Sequence, residues 1–307
     1  MSPKLLIAVV GSTAIGKTKL AIALAQHYNT EILSADSRQF FKEMQIGTAV
    51  PSFEELESVK HHFIQHKSIF EPYSVGDFER DALECINQLF LTKDVVVLVG
   101  GSGLYVDAVV NGLDDFPQVH HDIRKVLKTD LENKGIKYLQ TKLKELDPDY
   151  YQKVDLENPH RLIRSLEICI GTGKPYSSFL KQKKNERYFK TAYIGILAER
   201  EVIYDRINRR VDSMMQEGLL KEAESLHAHK NLNALQTVGY KELFDFMDGK
   251  YSLNKAVEEI KKNTRKFAKR QLTWYRKNTS IFWVAFDAEQ NDILDSFKEH
   301  LKAVFHA

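Results

Sequence analysis

Eight consecutive residues, Gly11-Ser12-Thr13-Ala14-Ile15-Gly16-Lys17-Thr18, have the types and the spacing to hold a diphosphate or a triphosphate. In such a loop the backbone N–H groups wrap phosphate oxygens at a helix N-terminus. The lysine adds a point charge and the threonine offers a hydroxyl to a metal ion. The competing reading is a glycine-rich turn that arose by chance. Context speaks against it, because the apolar run Leu5 to Val10 before the loop reads as a strand and the periodic segment Lys19 to Tyr28 after it reads as a helix. The motif specifies phosphate groups; it does not specify ATP.

Three further groups fall where they can join that chemistry. Asp36, followed by Ser37, Arg38 and Gln39, comes just after the strand-like run Glu31 to Ala35, and the carboxyl edge of an open α/β sheet is where ligands bind. Capping the next helix is an equally common task for such an Asp. Gly100-Gly101-Ser102-Gly103-Leu104-Tyr105 ends the strongest strand signal, Val95 to Val99. Its glycines permit close approach of a ligand and Ser102 adds a hydroxyl, although turns after strands often carry glycine for conformational reasons alone. Arg206 and Arg210 share a helix face and suit the oxygens of a leaving diphosphate; an ion-paired surface helix with Glu201, Asp205 and Glu217 accounts for them as well.

Positive charge is concentrated locally. Val257 to Lys277 reads as one long amphipathic helix: Ile260, Thr264, Phe267 and Gln271 trace one stripe, while Lys262, Arg265, Lys266, Lys269 and Arg276 crowd another side. Trp274 and Tyr275 lie among these bases, a pattern that matches an RNA footprint with cations for phosphates and aromatics for an unstacked base. A packed helix with a solvated exterior is the plainer alternative. Lys181, Lys183, Lys184, Arg187 and Lys190 form a second basic patch, which in a helical region is usually solvated surface. His61, His62 and His66 lack a ligand-spaced Cys or His and read as hydrogen-bonding or surface groups rather than a metal site.

The elements that must position these groups follow a strand-helix rhythm. Lys4 to Val10, Glu31 to Ala35, Val95 to Val99 and Thr191 to Leu197 read as parallel strands, and a polar helix-like stretch runs from about Pro51 to His61 and His62. Between about 115 and 190 the rhythm stops and the chain becomes polar and helical, with helices at Asp122 to Asn133, Tyr138 to Leu146 and Asn158 to Cys169. The pattern predicts an α/β fold whose parallel sheet is flanked by helices, with a helical insertion and C-terminal helices. The expected domains are 1–114 with 191–307, and the insertion 115–190.

Composition sets the outer limits. The 307 residues are 43% hydrophobic and 28% charged, which is ordinary for a globular chain with one large core or two domains. Cys85 and Cys169 lie far apart and fit neither a disulfide framework nor a metal cluster, so a reducing compartment is expected. No apolar run approaches a membrane span, and no secretory leader is seen before the first strand. A net charge of +2 neither requires nor excludes a nucleic-acid partner.

Taken together, the phosphate loop, Ser34-Ala-Asp-Ser-Arg-Gln39, Ile46-Gly-Thr-Ala49, Gly100-Gly-Ser-Gly-Leu-Tyr105, Arg161-Leu-Ile-Arg-Ser-Leu-Glu167, Gln236-Thr-Val-Gly-Tyr-Lys-Glu242 and Lys269-Arg-Gln-Leu-Thr-Trp274 resemble the bacterial tRNA dimethylallyltransferase family. The resemblance implies a P-loop NTPase-like core and transfer of a dimethylallyl group from dimethylallyl diphosphate to N6 of adenine 37 in tRNA, with Mg²⁺ and without consumption of ATP. It implies that Asp36 is the general base and that Gly11 to Thr18 seat the diphosphate, Thr18 also facing the metal. Lys17, Ser102, Arg206 and Arg210 would complete the catalytic set. Ser102 stands where the family usually has Thr, and Ser12 where it usually has Pro. The anticodon stem-loop would meet Ser37, Gln39, Arg161, Lys181, Lys183, Lys184, Gln236, Lys241, Lys262, Arg265, Lys266, Lys269 and Arg270. A cytoplasmic monomer without an obligate protein partner is the corresponding expectation. A nucleotide kinase or a noncatalytic RNA-binding module would each explain part of the pattern; the first has little use for the basic helix, the second none for three phosphate-facing loops.

Overall fold

The computed structural model describes residues 4–180 and 186–305, with backbone only at residue 305. Two compact units emerge, 111–186 and the remainder. Each limit of the smaller unit falls four residues before the position suggested by sequence, 111 against 115 and 186 against 190. At the second limit the physical reason is that the chain has rejoined the larger unit by Arg187. Arg187 donates from Nε to Val109 O at 2.8 Å and from Nη2 to Ala108 O at 2.8 Å, and it pairs with Glu79 at 2.6 Å.

In the larger unit β1 (Leu5–Gly11), α1 (Lys17–His27), β2 (Ile32–Ser34), α2 (Phe53–Ser58), β3 (His61–His62), α3 (Val75–Leu89), β4 (Val95–Val99) and α4 (Gly103–Asn111) come first. The six strands form one parallel sheet in the order β3-β2-β4-β1-β5-β6, where β5 is Lys190–Leu197 and β6 is Ile281–Ala285. β1 lies between β4 and β5, and its side chains alternate between two cores. Leu6, Ala8 and Val10 join one, Ile7 and Val9 the other. Burial on both faces is why this strand reads as continuous apolar sequence. A fully buried Leu such as Leu24 of α1 contributes about 1.5–3 kcal/mol to holding the helix against the sheet.

β3 and β6 were not expected. The helix-like stretch into His61 ends at Ser58, because Val59 takes an extended backbone, and His61 and His62 instead pair with Ile32 and Leu33. Two residues carry too little periodicity to show as a strand. β6 is a short edge strand, Ile-Phe-Trp-Val-Ala, whose bulky aromatics obscure the alternation.

The smaller unit contains α5 (His121–Lys134), α6 (Ile136–Leu146), α7 (Pro148–Tyr151) and α8 (Pro159–Thr172) around Leu127, Leu139, Leu143, Leu162 and Leu166. Asp147 is the N-cap of α7, with Pro148 at its first position. Asp147 is buried because its carboxylate accepts from Tyr150 N at 3.0 Å, Ser177 N at 2.7 Å and Ser177 Oγ at 2.8 Å. The buried Glu167 is held by Arg124 and Arg164. The basic residues Lys181, Lys183 and Lys184 lie outside the described residues.

Back in the larger unit, β5 leads to α9 (Arg200–Glu217), α10 (Leu219–Leu226), α11 (Tyr240–Met247) and α12 (Leu253–Tyr275), and β6 to α13 (Gln290–Phe305). The carboxyl ends of β1, β2 and β4 converge. Ala35 N donates to Val99 O at 2.7 Å and Gly100 N to Val9 O at 3.2 Å. The approach at Gly100 is so close that a Cβ there would sit 2.6 Å from Ala35 O, so the glycine is required by packing.

Candidate active site

The loop after β1 turns through Gly16, whose φ of 107° suits glycine, and α1 begins without a side-chain cap. Its first N–H groups are therefore left to a ligand, and the aligned helix dipole favours an anion there. Lys17 Nζ donates to Ser12 O at 2.7 Å, so the charge is held over the loop. Burial pushes the Lys17 pKa down to about 8, with Arg210 adding to that effect and the Asp36 carboxylate opposing it. Such a lysine has little solvation to lose when an anion arrives.

Asp36 stands at the carboxyl edge of β2, where it accepts from Arg38 N at 3.0 Å. The helix-capping alternative is not met, because the next helix, α2, is capped by Ser52, and the contact to Arg38 N closes a turn instead. Ser102 stands beside Asp36's neighbour: Ser102 Oγ accepts from Ser37 N at 3.3 Å and lies 3.4 Å from Ser37 Oγ. Two cavities meet at Asp36. One, of about 700 Å³, is lined by Gly16, Lys17, Thr18, Gln39, Gly100, Gly101, Arg206 and Arg210. The other, of about 600 Å³, is lined by Ser37, Arg38, Ser102, Arg210, Gln236, Lys241, Asn263, Phe267 and Arg270. Asp36, Thr13, Thr48, Ala49, Arg210 and Met214 border both. A third crevice of about 700 Å³ at the ends of β5 and β6, lined by Tyr204, Trp283 and Arg276 among others, contains none of these loops.

The two arginines of α9 differ. Arg206 Nε donates to Ala14 O at 2.6 Å and so braces the phosphate loop. Arg210 borders both cavities and makes no hydrogen bond among the described residues; burial and the neighbouring Arg206 lower its pKa. Of the two guanidinium groups, Arg210 is the less engaged.

Residues expected to meet RNA are distributed unevenly. Gln236 and Lys241 are exposed and line the second cavity with Arg270. Gln39 is turned inward, donating to Ala49 O at 2.9 Å and Thr48 O at 3.3 Å, which shapes the loop shared by the cavities. On α12, Lys266 and Lys269 are exposed, Lys262 pairs with Glu259, and Arg265 donates to Asn208 Oδ1 at 2.7 Å. Arg161 is exposed on the smaller unit. Tyr275 corrects the sequence reading: it is buried, and its hydroxyl donates to Gly100 O at 3.2 Å, so it belongs to the core and is unavailable to a base. Trp274 donates from Nε1 to Asp107 at 3.0 Å. One aromatic facing in and one tethered at the edge is what consecutive positions on a packed helix give.

Three supports escaped the sequence reading. Glu222 accepts from the N–H groups of Gln45, Ile46 and Gly47 at 3.0, 2.8 and 2.9 Å and from Tyr240 OH at 2.6 Å, fixing the loop that carries Thr48 and Ala49. Glu242 holds Gly239 N at 2.9 Å and Asn263 Nδ2 at 2.8 Å. Gln271, a polar residue on the buried stripe of α12, accepts from Thr13 N at 2.8 Å and donates to Gly101 O at 3.0 Å. A polar residue on an apolar stripe was the one available signal; Glu222 left none.

Similarity to known proteins agrees with the geometry. The IPP transferase family model matches residues 39–278. A tRNA dimethylallyltransferase of Flavobacterium johnsoniae is 59% identical over 306 residues, 98% of this chain and 99% of that protein. One from Christiangramia forsetii is 61% identical over 290 residues, 94% and 96% of the two chains. Among solved structures, a tRNA isopentenylpyrophosphate transferase from Bacillus halodurans superposes with a TM-score of 0.72 at 36% identity, covering 98% of this chain and 96% of that one. A eukaryotic dimethylallyltransferase acting on tRNA gives a TM-score of 0.81 at 25% identity over 97% and 78% of the chains.

Proposed function

The chain belongs to the IPP transferase family and is an enzyme that places a dimethylallyl group on tRNA; we propose that the donor is dimethylallyl diphosphate and that Asp36 is the base that receives the proton from N6 of adenine 37. The observation that carries this reading is the position of Asp36 on the wall common to the two cavities. One cavity has the amides and cations that suit a diphosphate, and the other has the width and polarity for an extruded purine.

In the proposed reaction the N6 lone pair attacks the allylic carbon, the carbon–oxygen bond to diphosphate breaks with its electron pair going to oxygen, and the N6 proton passes to the Asp36 carboxylate. Adenine N6 is a poor nucleophile because its lone pair is delocalised into the ring. Proton removal as the new bond forms lets Asp36 act without first making a free amide anion. Lys17, Arg210 and the open amides of α1 meet the charge that develops on the leaving oxygens, in a site already arranged before the reaction begins. Arg206 and Gln39 act earlier, by holding the loops to which those groups are attached.

The donor set also fits a hard divalent cation. Thr18 and Asp36 both border the diphosphate cavity, so a hydroxyl-bearing and a carboxylate-bearing residue, the oxygen donors such an ion takes, belong to one wall. Thr18 would hold Mg²⁺, which would supply charge neutralisation of the leaving group. The anticodon stem-loop is assigned to the exposed bases Lys241, Lys266, Lys269 and Arg270 of the larger unit, so binding should weaken steeply with salt. Among the described residues no helix is long and apolar enough to cross a membrane. A monomer working in the cytoplasm, where tRNA is matured, is consistent with this reading.

The test is incubation of the purified protein with radiolabelled dimethylallyl diphosphate, Mg²⁺ and unmodified tRNA. Label in the tRNA at adenine 37 without ATP is the expected result. Phosphorylation dependent on ATP, or no transfer, would refute it.

A further inference from the structure

α12 serves both cavities at once. Asn263, Phe267 and Arg270 line the acceptor side, while Gln271, the next residue, reaches the donor side through its side chain. The amide of Gln271 is buried and both of its ends are used: Oε1 accepts from Thr13 N at 2.8 Å, and Nε2 donates to Gly101 O at 3.0 Å. Thr13 belongs to the phosphate loop and Gly101 to the glycine turn after β4, so one side chain closes the gap between two loops that otherwise belong to separate strands. The neighbouring turn of α12 repeats the device at Tyr275, which donates to Gly100 O. The fit at Gln271 is tight, since a Cβ on Gly101 would lie 2.2 Å from its Nε2.

From this geometry we infer that Gln271 is a positioning residue that sets the register between donor and acceptor, holding the phosphate loop at a fixed offset from the helix that carries the acceptor wall. It touches neither reacting group, and it rests on the assignment of the two cavities to diphosphate and adenine. The amides of Gly16, Lys17 and Thr18 and the basic surface of α12 remain intact without it, so each substrate still binds. What is lost is alignment between the allylic carbon and N6. Misplacement of reacting atoms by about 1 Å costs on the order of 10²-fold in rate.

The experiment is steady-state and single-turnover prenylation with dimethylallyl diphosphate and an anticodon stem-loop, comparing wild type, Gln271→Met, Gly101→Ala and the double variant. Methionine keeps the volume and removes both hydrogen bonds; the alanine displaces Gln271 from the other side. The expected result is a fall in kcat of about 10- to 100-fold for each single variant, with the KM values of Gln271→Met for both substrates within about twofold of wild type. The double variant should be no worse than the weaker single one, because both changes break the same tie. Thermal unfolding near the wild-type temperature in either single variant identifies the effect as alignment. Wild-type kcat in both variants, a raised donor KM with kcat retained in Gln271→Met, or additive losses in the double variant would overturn the inference. Absence of transfer by the wild-type protein would instead overturn the assignment of the reaction, so the two failures are told apart by the control.

Discussion

The donor and acceptor cavities carry nearly the same side-chain charge, yet they are suited to different groups. The donor cavity is bordered by four cations, Lys17, Lys19, Arg206 and Arg210, and three carboxylates, Asp36, Glu55 and Glu217. The acceptor cavity has Arg38, Arg210, Lys241 and Arg270 against Asp36, Glu242, Asp245 and Glu259. A count of charges would not tell them apart. The difference lies in the backbone: one cavity opens on the uncapped start of α1, whose amides cannot turn away, and the other opens on Phe267, Ile207, Val211 and Leu219. Fixed dipoles suit a diphosphate, and apolar walls with scattered polar groups suit a flat purine.

The change that strikes both cavities at once is expected to be the largest. Asp36→Asn keeps the shape of the shared wall and removes the base; turnover should fall by about 10²- to 10⁴-fold while donor and RNA still bind, as measured by single-turnover transfer alongside equilibrium binding. Wild-type turnover in the purified variant would remove the assigned role.

Arg210 and Arg206 separate the two sides next. Arg210→Ala removes an unengaged cation common to both cavities and should weaken diphosphate binding about 10- to 100-fold, corresponding to about 1.5–3 kcal/mol for hydrogen bonds to a charged group. Arg206→Ala should weaken it less, because that side chain is already spent in part on Ala14 O. Titration calorimetry with inorganic diphosphate compares them, and the reverse order of effects would exchange the two roles.

A smaller effect should come from pH, and on the donor side alone. With its pKa lowered to about 8, Lys17 is cationic below that pH and loses its charge above it. An arriving diphosphate favours the cation, so affinity should be retained below pH 8 and decline as pH rises past it. Lys17→Arg stays charged and should flatten the profile, while RNA binding should show no such difference between the two proteins. A wild-type profile that matches the Arg variant would show that Lys17 does not titrate in this way.

The smallest effect is expected at Ser12, whose fully buried Oγ has no hydrogen-bond partner among the described residues and which lines neither cavity. Ser12→Ala should leave donor affinity unchanged and change unfolding free energy by no more than about 1 kcal/mol, in the stabilising direction, as measured by urea denaturation. A loss of diphosphate binding would mean that the hydroxyl serves the loop after all.

The same contrast explains what could be read from the chain. The phosphate loop was legible because its function lies in backbone geometry, which needs glycines at fixed spacing; the central strands were legible because burial on both faces leaves unbroken apolar runs. Asp36 could be located at the sheet edge, but its place between two cavities depends on α9 and α12, more than 160 residues away in sequence. Long-range supports such as Glu222 clamping Gln45 to Gly47 leave no periodic trace, since a carboxylate on a surface-like helix looks the same whether it meets water or three amides. Tyr275 misled for the opposite reason: set among arginines and lysines it resembles a base-stacking group, whereas the helix turns it into the core.

The most direct measurement is a crystal structure of the protein with a thiodiphosphate analogue of the donor and an anticodon stem-loop. The expected result is diphosphate on the amides of Gly16, Lys17 and Thr18, with the amino group of an extruded adenine about 2.6–3.2 Å from the Asp36 carboxylate. A diphosphate seated away from that loop, or an amino group out of reach of Asp36 in a complex that turns over once the natural donor is supplied, would contradict it.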